Sequence, residues 1–326
     1  MDRSLVAGID IDHHIIKAVV VKLEKGKCTL VSCKEIQSTQ ALLSDNFRLN
    51  YQEIVKKLQQ LKTQLPFFIK NAAVSIPDKS VISREIVVES ELYSVEEEPV
   101  ILHQFSLQSP SPIHDLSIDY VKLDEANSDE AYPVPSSTRY QVYAGHKYEV
   151  NDRIKTLSDS GFRPVLIEGE SHPMWLIATM IKNDDRLPDC SLFLSFRFST
   201  SVIFSAEDER PFLFKILPLG INHLMDLGVN AFSEALAEKF FRQQHLMADG
   251  KTAQLGLKIG LLGEGFNISG LEEALRTALN IQCEFVDISL LAKSKRHRIT
   301  NDLRRFEHAY GLAIRAGNWL RRHNAA

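Results

Sequence analysis

The stretch AGIDIDHHIIKAVVV at residues 7–21 constrains the fold more than any other part of the chain. Gly8-Ile9-Asp10-Ile11 reads as a short strand with an acid near its end. Asp12-His13-His14 is a polar break, Ile15 to Val21 a second strand, and Gly26 turns the chain into a third. The same order returns where Ser191 to Ser205 and Phe212 to Leu217 flank the charged turn Ala206 to Arg210. A β-meander written twice, each time followed by helices and a further strand, predicts two related α/β halves.

A chain of 326 residues with 44% hydrophobic content is too long for one simple core, so two or more domains are expected. The net charge of −4 argues against a protein devoted to nucleic acid. Cys28 and Cys33, five apart in a strand-like stretch, are expected on opposite faces, while Cys190 and Cys283 lie far away and no C-x-x-C pair exists. Free thiols in a reducing cytoplasm follow. The start MDRSLVAGID has no apolar signal core, and no window approaches about 18 consecutive apolar residues. The chain is expected to be cytosolic, or peripheral to a membrane through a partner.

Between the two meanders the pattern changes. Tyr51 to Thr63 has Ile54, Leu58 and Leu61 at helical spacing, and Asn71 to Ile76 is a strand stopped by Pro77. Then come a strand at Val81 to Val88, a helix opened by Glu96-Glu97-Glu98 and a break at Ser109-Pro110-Ser111-Pro112. The carboxylates suit the positive end of a helix better than a metal. Strands at Ile118 to Leu123 and Tyr140 to Ala144 follow, then a helix at Val150 to Ser160 ending on Gly161. This is a small α+β module inserted over 80–164. The first half is 1–79 with 165–187, and the second is 188–326, with 223–257 as its small subdomain. Its later elements are helices at His223 to Leu227 and Ala231 to Leu246, a strand at Lys258 to Leu262, a helix at Leu271 to Leu279, a short strand at Cys283 to Val286, and a last helix from about Asp302 to Arg322.

Four places carry candidate chemistry. Asp10 could hold a metal-bound water and Lys17 a phosphate, but Asp12 sets a carboxylate where phosphate charge would lie. In Ser195 to Thr200, Ser199 and Thr200 could donate hydrogen bonds, although Phe196 and Phe198 are bulky and no acid is present. Gly263-Glu264-Gly265 is either a purine-accommodating loop or a plain tight turn. Glu170, in Glu168-Gly169-Glu170-Ser171, could orient an attacking water. A serine nucleophile at Ser171 lacks the second glycine of an elbow. His13 and His14 diverge as neighbours and would need Asp10 or Asp12 to bind metal. The basic run Lys293 to Arg298 reads as a solvated loop.

Taken in order, these places resemble the actin-like ATPase superfamily, and Ala309-Tyr310-Gly311-Leu312-Ala313 is similar to its small-residue helix linking the lobes. The module after Ile76-Pro77 resembles that of the cell-division protein FtsA and its pilus relative PilM. The PilM resemblance runs through AAVSIPDKSVISREIVV (72–88), QSPSPIHDLSIDYVKL (108–123), YQVYAGHKYEVNDRIKTLSDSGFRPVLIEGES (140–171) and GLLGEGFNISGLEEALRTALNIQCEFVD (260–287). It implies a two-lobed actin-like α/β fold with an inserted SHS2-type module. It also implies a scaffold role in a type IV pilus, or a related MSHA-type pilus or secretion system. The implied partner is the cytoplasmic N-terminal tail of a PilN-like membrane protein, held in a groove between the module and the first lobe; self-association is also compatible.

The resemblance assigns ATP and magnesium to Asp10 (the metal position), Lys17, Ser199, Thr200, Gly263 and Gly265, with Glu170 as the catalytic residue of an active enzyme. The chain departs from that pattern. The first loop of the family has Gly and then Ser or Thr where Asp12, His13 and His14 stand. The second has Asp and Gly, both absent here however Ser195 to Thr200 is registered. The expectation is an architecture kept and an ATPase chemistry lost. Two rivals are a slow ATPase on the same residues and an FtsA-like membrane-associated filament protein. The second would carry a linker and separate amphipathic helix, where Trp319-Leu320-Arg321-Arg322 instead ends the last helix.

Overall fold

The computed structural model describes residues 5–24, 27–44, 49–88, 94–123, 138–205, 213–244, 257–292 and 303–323. The basic run Lys293 to Arg298 and the turn Ala206 to Arg210 lie outside them.

The chain divides into a unit of residues 1–75 with 156–326 and a second of 76–155. In the first unit, β1 (Leu5–Ile11), β2 (Ile15–Glu24) and β3 (Lys27–Gln37) form the opening meander. With β4 (Asn71–Ile76) and β8 (Arg163–Gly169) they make a five-stranded sheet in the order β3-β2-β1-β4-β8. A second sheet repeats this order as β11-β10-β9-β12-β13, from β9 (Leu192–Phe196), β10 (Ser201–Ser205), β11 (Phe214–Leu217), β12 (Lys258–Gly263) and β13 (Gln282–Phe285). In both, an antiparallel meander continues into a parallel neighbour. The duplication expected from the two meanders is real.

Hydrophobic patterning sorts the helices into layers. The helix α1 (Tyr51–Gln64) buries Ile54, Leu58 and Leu61 against the outer face of the first sheet. Each of these three side chains fills space that truncation to alanine would leave empty, at about 2–5 kcal/mol. Helices α6 (Val229–Gln244) and α7 (Leu271–Leu279) cover the outer face of the second sheet through Phe232, Leu236, Phe240 and Leu275. Between the inner faces lie α4 (Ser171–Lys182) and α8 (Glu307–His323), in one core with Val19, Phe193 and Phe204. The last helix does not begin near Asp302: a 3-10 turn over Leu303–Arg305 precedes Phe306, and α8 starts after it.

Close packing of α8 depends on missing side chains. A Cβ on Gly8 would lie 2.1 Å from the Ala309 carbonyl oxygen, and one on Gly311 2.4 Å from that of Pro173. The cysteine expectation needs correction. A β-bulge shifts the β2–β3 register between Val20 and Val21, so the odd spacing does not separate Cys28 and Cys33. Both pack against the central core.

The second unit carries β5 (Val81–Val88), α2 (Ser94–Gln108), β6 (Leu116–Lys122) and β7 (Thr138–His146), a strand-helix-strand-strand order. Its strands form a separate antiparallel sheet, β5-β7-β6, with β5 and β6 as edges. Ile101 and Phe105 of α2 are fully buried among Ile86, Tyr140 and Val142. Helix α3 (Lys147–Asp159) follows, and Gly161, at φ +79°, turns the chain beyond it.

Candidate functional site

Five chain segments deliver charge to one cleft in the first unit. Asp10 stands near the end of β1, Glu170 follows β8, Arg197 follows β9, Glu264 follows β12, and Glu307 and His308 open α8. Strand ends are where open α/β sheets present their ligand sites, because side chains from several strands converge there.

Asp10 and Lys17 are direct neighbours across the β1–β2 ladder, and both are buried. The Asp10 carboxylate meets His308 Nδ1 at 2.8 Å. Burial pushes the Asp10 pKa upward, but His308, Arg197 and Lys17 outweigh it and hold the group well below the usual carboxylate range. Lys17 is engaged elsewhere. Its ammonium lies 2.6 Å from Glu264 Oε1 and donates to the Arg305 carbonyl at 2.7 Å. Burial works against its charge, and Glu264, Glu307 and Asp10 overcome that, so its pKa is raised. Arg305 bridges Glu264 at 3.0 Å and Glu35 at 3.2 Å.

The first turn satisfies its own amides. The Asp12 N–H donates to the Ile15 carbonyl at 2.9 Å, and the His13 N–H donates to the Asp12 carboxylate at 2.7 Å. Burial raises the Asp12 pKa, but hydrogen bonds from His13 and the charge of Arg197 lower it further. The two histidines diverge: His13 Nδ1 lies 3.1 Å from Ser199 Oγ, while the His14 ring sits edge-on to Phe198.

Strand alternation decides the second turn. Phe196 is fully buried in the outer core beside Phe232 and Phe285, so it does not occupy the cleft. Ser195 and Arg197, on the opposite face, do. Ser195 Oγ donates to Glu307 Oε1 at 2.6 Å, and Arg197 Nη1 lies 3.6 Å from Glu170 Oε2. Burial opposes the Arg197 charge; Glu170, Asp10, Asp12 and Glu307 overcome it and raise its pKa. Thr200 closes the turn by accepting the Arg197 N–H at 2.9 Å. Helix α5 (Ile221–Leu227) seats against this backbone: a Cβ on Gly220 would lie 2.4 Å from Phe198 O and Thr200 N.

The glycine loop is a tight turn in which protein fills the space. Gly263 has φ +86°, and a Cβ there would be 2.3 Å from Phe196 O. One on Gly265 would meet Leu271 and Phe196. Beside the charge cluster lies a cavity of ≈ 340 Å³ lined by His14, Ser38, Phe198, Ile221, Glu264 and Arg305.

The structure thus brings Asp10, Lys17, Glu170 and Ser199 to one cleft, with Thr200, Gly263 and Gly265 in the turns beneath it. Sequence reasoning missed Arg197, Glu264, Glu307, His308 and Arg305. Arg197 was legible, since it shares the strand face of Ser195; the others needed the fold.

The family model for type IV pilus assembly protein PilM matches residues 8–191, more than half of the chain. The chain is similar to a solved PilM–PilN type IV pilus biogenesis complex, with TM-score 0.69 and 16% identity over 97% of this chain and 99% of that one. It is also similar to ethanolamine utilization protein EutJ from Carboxydothermus hydrogenoformans, with TM-score 0.55 and 10% identity over 96% and 90% of the two chains. These likenesses show the actin-like fold. No curated protein matches the sequence.

Proposed function

This chain belongs to the type IV pilus assembly protein PilM family, and from that premise we propose that it works as a scaffold that captures a membrane partner and does no nucleotide chemistry. The observation that carries this reading is a cleft neutralised from within. The Asp12 carboxylate takes the His13 amide that a phosphate would need. Lys17 is spent on Glu264, and the Arg197 guanidinium sits among Asp10, Asp12, Glu170 and Glu307, the carboxylates that a magnesium ion would have to claim. Magnesium and ATP do not fit this set. An incoming triphosphate would meet fixed negative charge, and the metal would have to displace a buried guanidinium. Each penalty of about 1.4 kcal/mol weakens binding tenfold.

The partner class follows from the family. The solved relative is a complex of PilM with PilN, and we assign this chain a PilN-like inner-membrane partner, bound through its cytoplasmic N-terminal tail. Such a chain would be peripheral to the membrane through that partner; no helix among the described residues is long and apolar enough to cross a membrane. The strand-helix-strand-strand module is the capture surface in this reading. Its β6 edge can add an extended tail by main-chain pairing, and exposed Val121 and Leu107 supply apolar contact. Ordering a tail costs about 1–2 kcal/mol per fixed residue, so a few buried aliphatic anchors must supply the affinity.

The test pairs two measurements on the full chain. Titration with magnesium ATP is expected to release no binding heat; micromolar affinity abolished by Asp10→Ala overturns the cleft reading. Pull-down with a PilN-like tail is expected to fail for Val121→Asp with Leu107→Asp and to persist for Glu170→Gln. The opposite pattern rejects the module as the capture surface.

A further inference from the structure

The turn after α1 carries two phenylalanines that no core absorbs. Phe67 is 94% exposed and Phe68 77%, yet Leu65 and Ile69 on either side are buried in the first-lobe core. The Ile69 N–H donates to the Pro66 carbonyl at 3.0 Å, closing a tight turn with both rings at its apex. The rings stand edge to face, 6.0 Å apart. Buried shoulders, a proline and a hydrogen bond hold this apex out, so exposing two rings is a property of the turn.

Its surroundings are cationic. From Ile54 to Pro77 the chain carries four lysines and no acid, with Lys57 paired to Glu53 just before that stretch. Lys70 and Arg163 are exposed and joined by the backbone, since the Arg163 N–H donates to the Lys70 carbonyl at 2.7 Å. Lys62 packs over the Phe162 ring and donates to the Gly161 carbonyl. Asp159, the nearest acid along the adjoining segment, accepts from the Tyr51 hydroxyl. The turn lies at the start of β4, whereas Asp10 stands at the other end of the neighbouring parallel strand β1, so it faces away from the cleft.

We propose that Phe67 and Phe68 are an aromatic wedge that inserts into an anionic membrane surface, with Lys70 and Arg163 pairing to lipid headgroups. A stable protein interface needs a broad patch of complementary surface. Two isolated rings on a rigid turn flanked by exposed Lys70 and Arg163 match instead the chemistry of interfacial anchoring, in which apolar side chains enter the headgroup boundary and cations meet anionic lipid. This contact is independent of tail capture by the module.

The test is co-sedimentation of the full chain with vesicles of phosphatidylglycerol and phosphatidylethanolamine, against phosphatidylcholine alone. Binding is expected to the anionic vesicles only, and to weaken as salt is raised. Phe67→Ser with Phe68→Ser should lower partitioning by roughly tenfold or more, with the melting temperature unchanged because both rings are exposed. Lys70→Gln with Arg163→Gln should remove the preference for anionic lipid. Met225→Ser, which removes a side chain 84% exposed on α5, should change nothing. Failure of the parent chain to bind anionic vesicles overturns the proposal, as does full binding by the double serine variant. So does a lipid-free oligomer that the double variant converts to monomer, which assigns the rings to self-association.

Discussion

Arg197 Nη1 and Glu170 Oε2 face each other at 3.6 Å across the cleft, one following a strand of the second sheet and the other a strand of the first. Lys17 and Glu264, at 2.6 Å, make a second tie of the same kind with the sheets exchanged. Side chains therefore join the two halves of the duplicated fold across the cleft.

Removing the guanidinium while leaving its carboxylates should be costly. Arg197→Met strands Glu170 beside Asp10 and Asp12, and the expected loss is about 3–5 kcal/mol of unfolding free energy in urea. Adding Glu170→Gln to that variant should return part of the loss, because one buried charge is then removed. Equal stability of Arg197→Met and the parent would mean the cluster is fully hydrated.

Acid should loosen the fold through the same cluster. Asp10 and Glu264 both titrate below their unfolded values: burial alone would raise them, and their cationic neighbours more than reverse it. A depressed carboxylate contributes stability that is complete above its unfolded pKa and disappears as pH falls through the folded one. Unfolding free energies from urea titrations should therefore decline from about pH 5 downward, by on the order of a few kcal/mol for Asp10. Asp10→Asn should flatten that acid limb while lowering stability near neutrality.

The contact of α8 on β1 leaves no room at Gly8. The atoms a methyl group would strike are backbone, Ala309 O at 2.1 Å and Ala313 N at 2.4 Å, so no side chain can turn aside. Gly8→Ala is expected to cost about 3 kcal/mol or more and to lower soluble yield. Gly270→Ala is the control, with φ +78° and ψ −7° in the left-handed region and nothing within 4 Å, and should cost about 1–2 kcal/mol from backbone strain alone. Thermal unfolding of the two variants separates steric clash from strain.

Thiol chemistry should report folding. Burial pushes Cys190 up to about 11 and Cys283 to about 12, and raises Cys28. All four cysteines are free, and alkylation at pH 8 should be slow in the native protein and rapid for every thiol in urea. Fast native labelling of Cys190 or Cys283 would contradict the packing around them.

The sequence by itself determined the duplicated meander, the amphipathic stripe of Ile54, Leu58 and Leu61, and the strand-helix-strand-strand order after Pro77. It did so because each depends on spacing along a short segment. Asp12 after the first strand and the absence of an acid from Ser195 to Thr200 were equally legible, as local facts. Only the tertiary structure decided what fills the cleft. Arg197 meets Glu170, Lys17 meets Glu264, and Asp10 meets His308, residues 298 apart in the chain, because two sheets bring their strand ends together. It also moved Phe196 from the expected loop into the core and put Cys28 and Cys33 on one face through a bulge. A side chain's direction depends on strand register, and register is settled by the partner strand, which a period counted along one segment does not contain.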